Sequence, residues 1–207
     1  MSDSLILNVV AFAAAVWFLR QWHTDLKTAG SEDAHPNPLP GAAPCPTSWI
    51  VVGAVGAAVI VGLVTAAEFA SGVADEQSTI SPIFLLGMLG AAVIEEMIFR
   101  GWLVIDKKGK AALIGSCIGV SLIFALGHQY MWTTEDGFQL KLEAQPIIAT
   151  LGILTFSLWA YALRFLPANP GRSLLPCFVA HAVHNLVVFG VKLATGHVAW
   201  SMSLMGS

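Results

Sequence analysis

The amino-acid sequence predicts an all-α membrane protein, a single polytopic bundle of about six transmembrane helices. Composition is the first reason: 56% of the 207 residues are hydrophobic and only 11% are charged, whereas soluble domains carry about 25% charged residues. The second reason is that the apolar residues lie in long runs, several near the roughly 20 residues that a helix needs to cross a bilayer. A net charge of −3 argues against a basic surface that binds nucleic acid. Three scattered cysteines are too few to form a disulfide framework.

The predicted spans follow one another in a single domain, 1–207, and each is an apolar run bounded by polar or turn-forming residues: 5–19, 49–70, 82–105, 111–132, 146–166 and 173–194. Residues 1–22 form the first span rather than a cleaved signal peptide, because the N-terminal flank carries Asp3 and no basic residue. Four prolines among small and polar residues predict a flexible cytoplasmic linker over 23–48. The bundle proper is 49–194, and 195–207 is a tail.

The basic residues predict the orientation of these six spans. Seven of them fall on one side of the predicted membrane: Arg20, Lys27, Lys107, Lys108, Lys110, Arg164 and Arg172. The other side has two basic residues and six acids: Lys141, Lys192, Asp3, Asp75, Glu76, Glu135, Asp136 and Glu143. Cytoplasmic loops carry the excess of lysine and arginine, so we expect both termini on the non-cytoplasmic side.

Three charged residues interrupt the third predicted span: Glu95, Glu96 and Arg100. A charge at the centre of a membrane helix costs roughly 2.5–3.5 kcal/mol, so it needs a partner or a function. Glu96 and Arg100 are four residues apart and can pair, while Glu95 points ~100° away around the helix and is free to face a cavity. The alternative is that all three side chains form one buried packing network.

Polar residues interrupt two further spans. His128 is on the fourth, and His181 and Asn185 share one face of the sixth, with Cys177 one turn earlier. A single histidine in a membrane helix usually makes a structural hydrogen bond, but ionisable groups that converge from several helices usually line a cavity. Together with Glu95 they could supply a base for water, a proton shuttle and donors to an oxyanion. One difficulty is that His128 lies ~25 Å from the start of a straight fourth helix, deeper than the others.

The three clusters resemble the motifs of a known family. Glu95-Glu96-x-x-x-Arg100, followed by Gly101, then Phe124-x-x-x-His128 and His181-x-x-x-Asn185, occur in that order on separate spans. This pattern is similar to that of the CPBP family, also called the Abi family: CAAX prenyl proteases and bacteriocin-processing intramembrane endopeptidases. Each motif alone is weak, whereas the ordered set, over about 82–189, is specific.

The resemblance implies a role for each matched residue. Glu95 and His128 correspond to the pair that activates the attacking water. His181 and Asn185 correspond to the pair that stabilises the tetrahedral oxyanion, and Glu96 with Arg100 is the supporting ion pair. His184 is not a motif residue. Three residues after His181, it could support the site residues or pack against a neighbour, and we favour packing. The family has been described both as metalloproteases and as glutamic proteases; we expect no cofactor, with Zn²⁺ held by Glu95, His128 and His181 as the alternative.

The sequence leaves other functions open. The chain could be a non-enzymatic immunity or scaffold protein, or a proton-coupled transporter, although no internal repeat supports transport. A thiol mechanism through Cys177 is less favoured, since nothing beside it lowers its pKa. As an enzyme it would cut a membrane-associated protein or peptide precursor within the lipid bilayer, with no nucleic-acid partner. The compact chain with short loops is typical of a bacterial inner-membrane protein.

Overall fold

A computed structural model describes residues 4–134 and 137–200, and in this part of the chain six α-helices form one bundle: α1 Leu5–Thr28, α2 Thr47–Ala70, α3 Phe84–Glu95, α4 Lys110–Gly127, α5 Ala144–Phe165 and α6 Leu175–Ala194. Five of them, all but α3, are long and apolar enough to cross a membrane. Shorter elements lie between the helices: a 3-10 turn at Ala74–Glu76, a π-helix at Glu96–Trp102, and a hairpin of β1 Trp132–Thr133 and β2 Gln139–Leu140. The predicted all-α, polytopic membrane bundle is therefore confirmed.

The third span consists of two kinds of helix. α3 ends at Glu95, and the chain continues without a break into the π-helix Glu96–Trp102. A π-helix is wider than an α-helix and is frequent at functional sites. The sequence pattern predicted a regular helix here, because hydrophobic periodicity over seven residues does not distinguish the two helix types. The change of helix type falls between Glu95 and Glu96.

Three predicted boundaries are wrong. α1 continues to Thr28, because no proline or glycine follows Trp22 until Gly30, which has a positive φ; the prediction had assigned these residues to the linker. What is left of the predicted linker 23–48 is shorter and docked: the Trp22 Nε1–H donates to the Pro40 carbonyl at 3.2 Å. The fourth span ends at Gly127 instead of residue 132, because the residues after His128 turn into the β1–β2 hairpin.

The helices pack so that α3 and α6 lie in the middle of the bundle. α3 contacts α1 on one side and α6 on the other, α2 lies against α5 and α6, and α4 packs against α5. Gly90 allows α1 and α3 to approach closely, since a Cβ there would lie 2.8 Å from the backbone of Ala11. Small residues at such crossings let membrane helices approach closely. The central position of α3 and α6 brings their polar side chains together.

The bundle has two distinct ends. The basic end comprises the loops 29–46, 103–109 and 166–174, which contact one another: Leu174 N–H donates to the Gly41 carbonyl at 3.1 Å, and Arg172 pairs with Asp106 at 3.1 Å. The open end comprises 71–83, 128–134, 137–143 and 195–200, where Ile80 pairs with Val198 in a parallel bridge. Residues 201–207 of the predicted tail lie outside the described residues.

Candidate active site

Glu95 and Glu96 lie in different surroundings at the junction of α3 and the π-helix. The Glu95 side chain is 25% exposed and faces a cavity. The Glu96 side chain is completely buried, as is that of Arg100. The sequence predicted this division from the ~100° angle between adjacent helical positions. The Glu95 carboxylate can therefore reach water, whereas the Glu96 carboxylate can contact only groups inside the bundle.

Arg100 is the centre of a buried polar network. Its Nη1 lies 3.1 Å from Glu96 Oε1, which agrees with the predicted ion pair. Its Nη2 donates to Ser157 Oγ at 2.7 Å, and Ser157 Oγ donates to Ser121 Oγ at 2.9 Å. The guanidinium also lies over the Phe124 ring, 4.6 Å from its centre. The two serines were not predicted, because lone serines on apolar helices give no signal from sequence.

His181 connects the two glutamates. Its Nδ1 is 2.7 Å from Glu96 Oε1, and its Nε2 is 3.8 Å from Glu95 Oε2. The first distance is a hydrogen bond, while the second is longer than a hydrogen bond. Glu96, Arg100 and His181 thus form one buried network. The alternative prediction placed Glu95 in a buried network with Glu96 and Arg100, but Glu95 faces the cavity. Glu95 and His181 therefore lie next to each other at one site.

His128 follows directly after α4 and is held by its backbone. Its Nδ1 lies 2.8 Å from the Phe124 carbonyl, which can only accept, so Nδ1 carries the proton and Nε2 keeps its lone pair. The ring is parallel to that of Tyr130, at 6.4 Å. His128 lines the same cavity as Glu95. The sequence predicted that His128 would lie at a different depth from the other site residues. The structure removes this difficulty, because the cavity runs from the middle of the bundle to the open end, where α4 ends.

Asn185 is fixed by hydrogen bonds to both ends of its amide. Its Nδ2 donates to the Met88 carbonyl at 2.7 Å, and its Oδ1 lies 3.2 Å from Nδ1 of His184. Because Oδ1 is an acceptor, His184 donates this bond. Packing was the favoured prediction for His184; it does pack against Phe156, with ring centres 4.5 Å apart, but it also orients Asn185. One N–H of Asn185 Nδ2 is left for the cavity.

The cavity has a volume of about 500 Å³ and is lined by the four predicted catalytic residues, Glu95, His128, His181 and Asn185, together with His184. Cys177 is not part of it. This thiol is fully buried and donates to the Ala160 carbonyl at 3.3 Å. A thiol in that position cannot reach a peptide in the cavity, so the structure gives no support to a mechanism through Cys177.

A metal site is not assembled from these residues. Within residues 4–134 and 137–200, no three His, Cys, Asp or Glu side chains are grouped closely enough to hold one metal ion. His128 directs Nδ1 at its own backbone and His181 directs Nδ1 at Glu96, and metal-bound histidines use their second nitrogen in the same way. The alternative zinc set of Glu95, His128 and His181 is not grouped as ligands among the described residues, and the expectation that no metal takes part stays a prediction.

Comparison with known proteins identifies the family. The family model described as type II CAAX prenyl endopeptidase, Rce1-like, matches residues 77–187, more than half of the chain. The chain belongs to this family. The Rce1-like region begins in the loop before α3, includes all of the polar residues described above and ends within α6. A search of the curated proteins finds no match, and neither does a search of the solved structures.

Membership in the Rce1-like family bears on the choice among the three predicted classes of function: protease, scaffold and transporter. The family consists of CAAX-type endopeptidases, and five helices of the chain can cross a membrane. The protein is therefore a multi-pass membrane protein of a protease family, with a membrane-associated peptide as its class of substrate. This favours the protease over the scaffold and the transporter that the sequence also allowed.

Proposed function

We propose that the protein is an intramembrane endopeptidase that hydrolyses a peptide bond with water activated by Glu95 and His128. The observation that carries the proposal is that the two ring nitrogens of His181 contact different glutamates. His181 Nδ1 lies 2.7 Å from the buried Glu96, while His181 Nε2 faces the partly exposed carboxylate of Glu95 at 3.8 Å. A buried ion pair thus fixes the imidazole, and the cavity side stays available for reacting groups.

Glu95 and His128 are the proposed bases. Glu95 offers a carboxylate to the cavity, and His128 offers the lone pair of Nε2 because its Nδ1–H is engaged by the Phe124 carbonyl. A water in the cavity can donate one hydrogen to each group, which makes its oxygen a nucleophile. General-base catalysis by a placed side chain contributes roughly 10²–10⁴ in rate. The proton that Glu95 or His128 accepts then passes to the leaving amine.

Asn185 and His181 are the proposed donors to the tetrahedral oxyanion. Asn185 has one N–H of its Nδ2 free of the bond to Met88, and His184 prevents the amide from rotating. His181 in its protonated form presents Nε2–H to the same space. Donors that are already oriented stabilise the developing charge without reorganisation, and removing one costs about 10²–10³ in kcat.

The substrate in this proposal is a membrane-anchored protein or peptide precursor, cleaved in a bacterial inner membrane without a metal ion. A cavity of about 500 Å³ accepts several residues of an extended peptide. The buried Glu96–Arg100 pair lies outside the reacting groups and supports them through His181.

Profiling of protein termini tests this proposal in cells. We expect a set of membrane-anchored proteins to lose a terminal segment in cells with the wild-type protein and to stay uncut in cells without it. Glu95→Gln, which keeps the size but removes the base, should match the deletion, whereas Glu32→Gln on an exposed loop should match the wild type. Identical termini in wild-type and Glu95→Gln cells, at equal membrane levels, would refute the proposed role.

A further inference from the structure

Ser157 lies near the middle of α5, outside the catalytic cavity. Its side chain is completely buried, and it is not one of the described residues that line the cavity. The hydroxyl makes two hydrogen bonds: it accepts from Arg100 Nη2 at 2.7 Å and donates to Ser121 Oγ at 2.9 Å. A guanidinium can only donate, so the hydroxyl hydrogen of Ser157 is free for Ser121. The two serines thus connect Arg100 to α5 and α4.

The bond from Ser157 matters because Arg100 and Glu96 meet at one point only. Arg100 Nη1 lies 3.1 Å from Glu96 Oε1, whereas Arg100 Nε and Glu96 Oε2 have no hydrogen-bond partner among the described residues. In a bidentate pair, two parallel N–H···O bonds fix the guanidinium against the carboxylate. With one such bond, the guanidinium can pivot about Oε1 unless a second group holds it. The bond between Nη2 and Ser157 provides this second point.

Two aromatic rings keep Arg100 next to α5 and α4. The guanidinium carbon lies 4.6 Å from the centre of the Phe124 ring and 5.1 Å from that of Tyr161. Tyr161 follows Ser157 by one helical turn, and its hydroxyl donates to the Phe99 carbonyl of the π-helix at 2.7 Å. Cation–π contacts attract the guanidinium but do not direct its individual N–H groups. The direction of Nη2 is therefore set by Ser157.

The position of Arg100 reaches His181 through a single atom. Glu96 Oε1 lies 3.1 Å from Arg100 Nη1 and 2.7 Å from His181 Nδ1. A carboxylate oxygen can only accept, so both nitrogens donate to it. All three side chains are buried, and in such a site hydrogen bonds that share an atom polarise one another. A change in the direction of the guanidinium therefore changes the bond that holds His181.

We propose that Ser157 is a positioning residue for the hydrolysis. Its hydroxyl directs Arg100, which holds the Glu96 oxygen bonded to His181. This proposal rests on the proposed function, in which His181 presents its Nε2 to the cavity as a donor to the oxyanion. Ser157 itself touches no reacting group. Ser121 has a smaller part, because its bond sets only the direction of the Ser157 hydroxyl hydrogen.

Two alanine variants separate positioning from simple packing of the helices. Ser157→Ala and Ser121→Ala both remove the hydrogen bond between α4 and α5, but only Ser157→Ala also removes the acceptor from Arg100. A purely structural serine pair therefore predicts that the two variants behave alike. We expect Ser157→Ala to lower kcat by about 10-fold, the order of effect of a lost hydrogen bond to a charged group. KM should stay unchanged, and Ser121→Ala should keep most of the wild-type rate.

The measurement is steady-state cleavage, in lipid nanodiscs, of a peptide from the first precursor found by terminal profiling. Ser157→Cys fills nearly the same space with a weakly accepting sulfur and should be as slow as Ser157→Ala, which excludes an effect of lost volume. Thr155→Ala, at an exposed position of the same helix, is the matched control and should cleave like the wild type. A wild-type kcat in Ser157→Ala, or an equal loss in both alanine variants, would overturn the inference.

NMR of ¹⁵N-histidine-labelled protein tests the same contact without a substrate. The Nδ1 signal of His181 is identified by its loss in His181→Gln. We expect Ser157→Ala to move this signal, because the bond to Glu96 changes, and Ser121→Ala to leave it near its wild-type position. An unmoved signal in Ser157→Ala would overturn the inference whatever the protein hydrolyses. A moved signal, together with a wild-type rate of cleavage by Glu95→Gln, would count against the proposed function alone.

Discussion

Glu95 and Glu96 are neighbours in sequence, yet one faces a cavity and the other is sealed in the interior. Helical geometry alone predicts that their carboxylates diverge, and the same reasoning predicts the bond between Glu96 and Arg100. The contact of His181 with Glu96 could not be predicted, because it depends on how α6 is rotated against the third span. Pairing within one helix is local, whereas pairing between helices requires the packed bundle.

Asn185 provides the first prediction at the scale of single residues. His184→Phe keeps an aromatic ring against Phe156 but removes the N–H that orients the Asn185 amide. We expect kcat to fall with little change in KM, since only a contact to the transition state is affected, and Asn185→Ala to lower kcat by about 10²–10³.

His184→Gln, whose amide N–H can replace the lost donor, serves as the conservative control and should recover part of the rate. Unchanged kcat in His184→Phe would show that Asn185 is oriented without it. The measurement is steady-state cleavage of a peptide from an identified precursor, with each variant reconstituted at equal amount.

Chelation tests the expectation that no metal takes part. Glu95, His128 and His181 are not grouped as ligands, so 1,10-phenanthroline should leave cleavage unchanged. Its non-chelating isomer, 1,7-phenanthroline, controls for effects of the ring system on the membrane. Loss of activity with the chelator alone, followed by recovery on addition of Zn²⁺, would make Glu95 a ligand instead of a base.

At the scale of the elements, the π-helix positions the buried ion pair of Glu96 and Arg100. Glu96→Gln would leave Arg100 without a countercharge in a water-free site, and breaking a buried pair costs about 3–5 kcal/mol. We expect a lower folded yield and a lower temperature of unfolding in detergent. Glu96→Gln with Arg100→Met should unfold at a higher temperature than the single variant, because no unpaired charge is left.

The double variant should nevertheless be inactive, since in both proteins His181 loses the negative charge of the carboxylate beside its Nδ1. A single Glu96→Gln variant as stable as the wild type would contradict the role given to this pair. So would a double variant less stable than the single one.

The crossing of α1 and α3 allows a second test among the elements. Gly90→Ala would put a Cβ 2.8 Å from the Ala11 backbone, and overpacking typically costs 1–3 kcal/mol. Gly115→Ala on α4 is the matched control, because a Cβ there meets open space and alanine is the better helix former by about 1 kcal/mol. Thermal unfolding should separate the two variants in opposite directions; equal unfolding temperatures would contradict the close crossing.

The elements also show where prediction from sequence fails. Long apolar runs predicted the number and order of the helices, because a segment must be apolar to cross the lipid bilayer. The hairpin β1–β2 was missed because two residues per strand are too few for a period of two to be recognised. The extension of α1 to Thr28 was missed because a helix can continue beyond the membrane through polar residues, which give no apolar signal.

At the scale of the whole molecule, the main feature is that the loops of the bundle gather at two distinct ends. The sequence assigned the loops to two sides from their basic residues, and the structure brings the loops of each side together, with Arg172 on Asp106 at one end and Lys192 on the Ser78 carbonyl at the other. The direction of the cavity could not be predicted, because it depends on which gaps between helices are left unfilled.

Cleavage by the purified protein tests the central claim, that Glu95 activates water for hydrolysis, most directly. Wild type, Glu95→Gln and the control Glu32→Gln would be placed in lipid nanodiscs and given the same precursor peptide under single-turnover conditions. The account predicts that Glu95→Gln is slower by ~10² or more, with an unchanged unfolding temperature, and that Glu32→Gln cleaves like the wild type. A correctly folded Glu95→Gln protein that cleaves at the wild-type rate would contradict it.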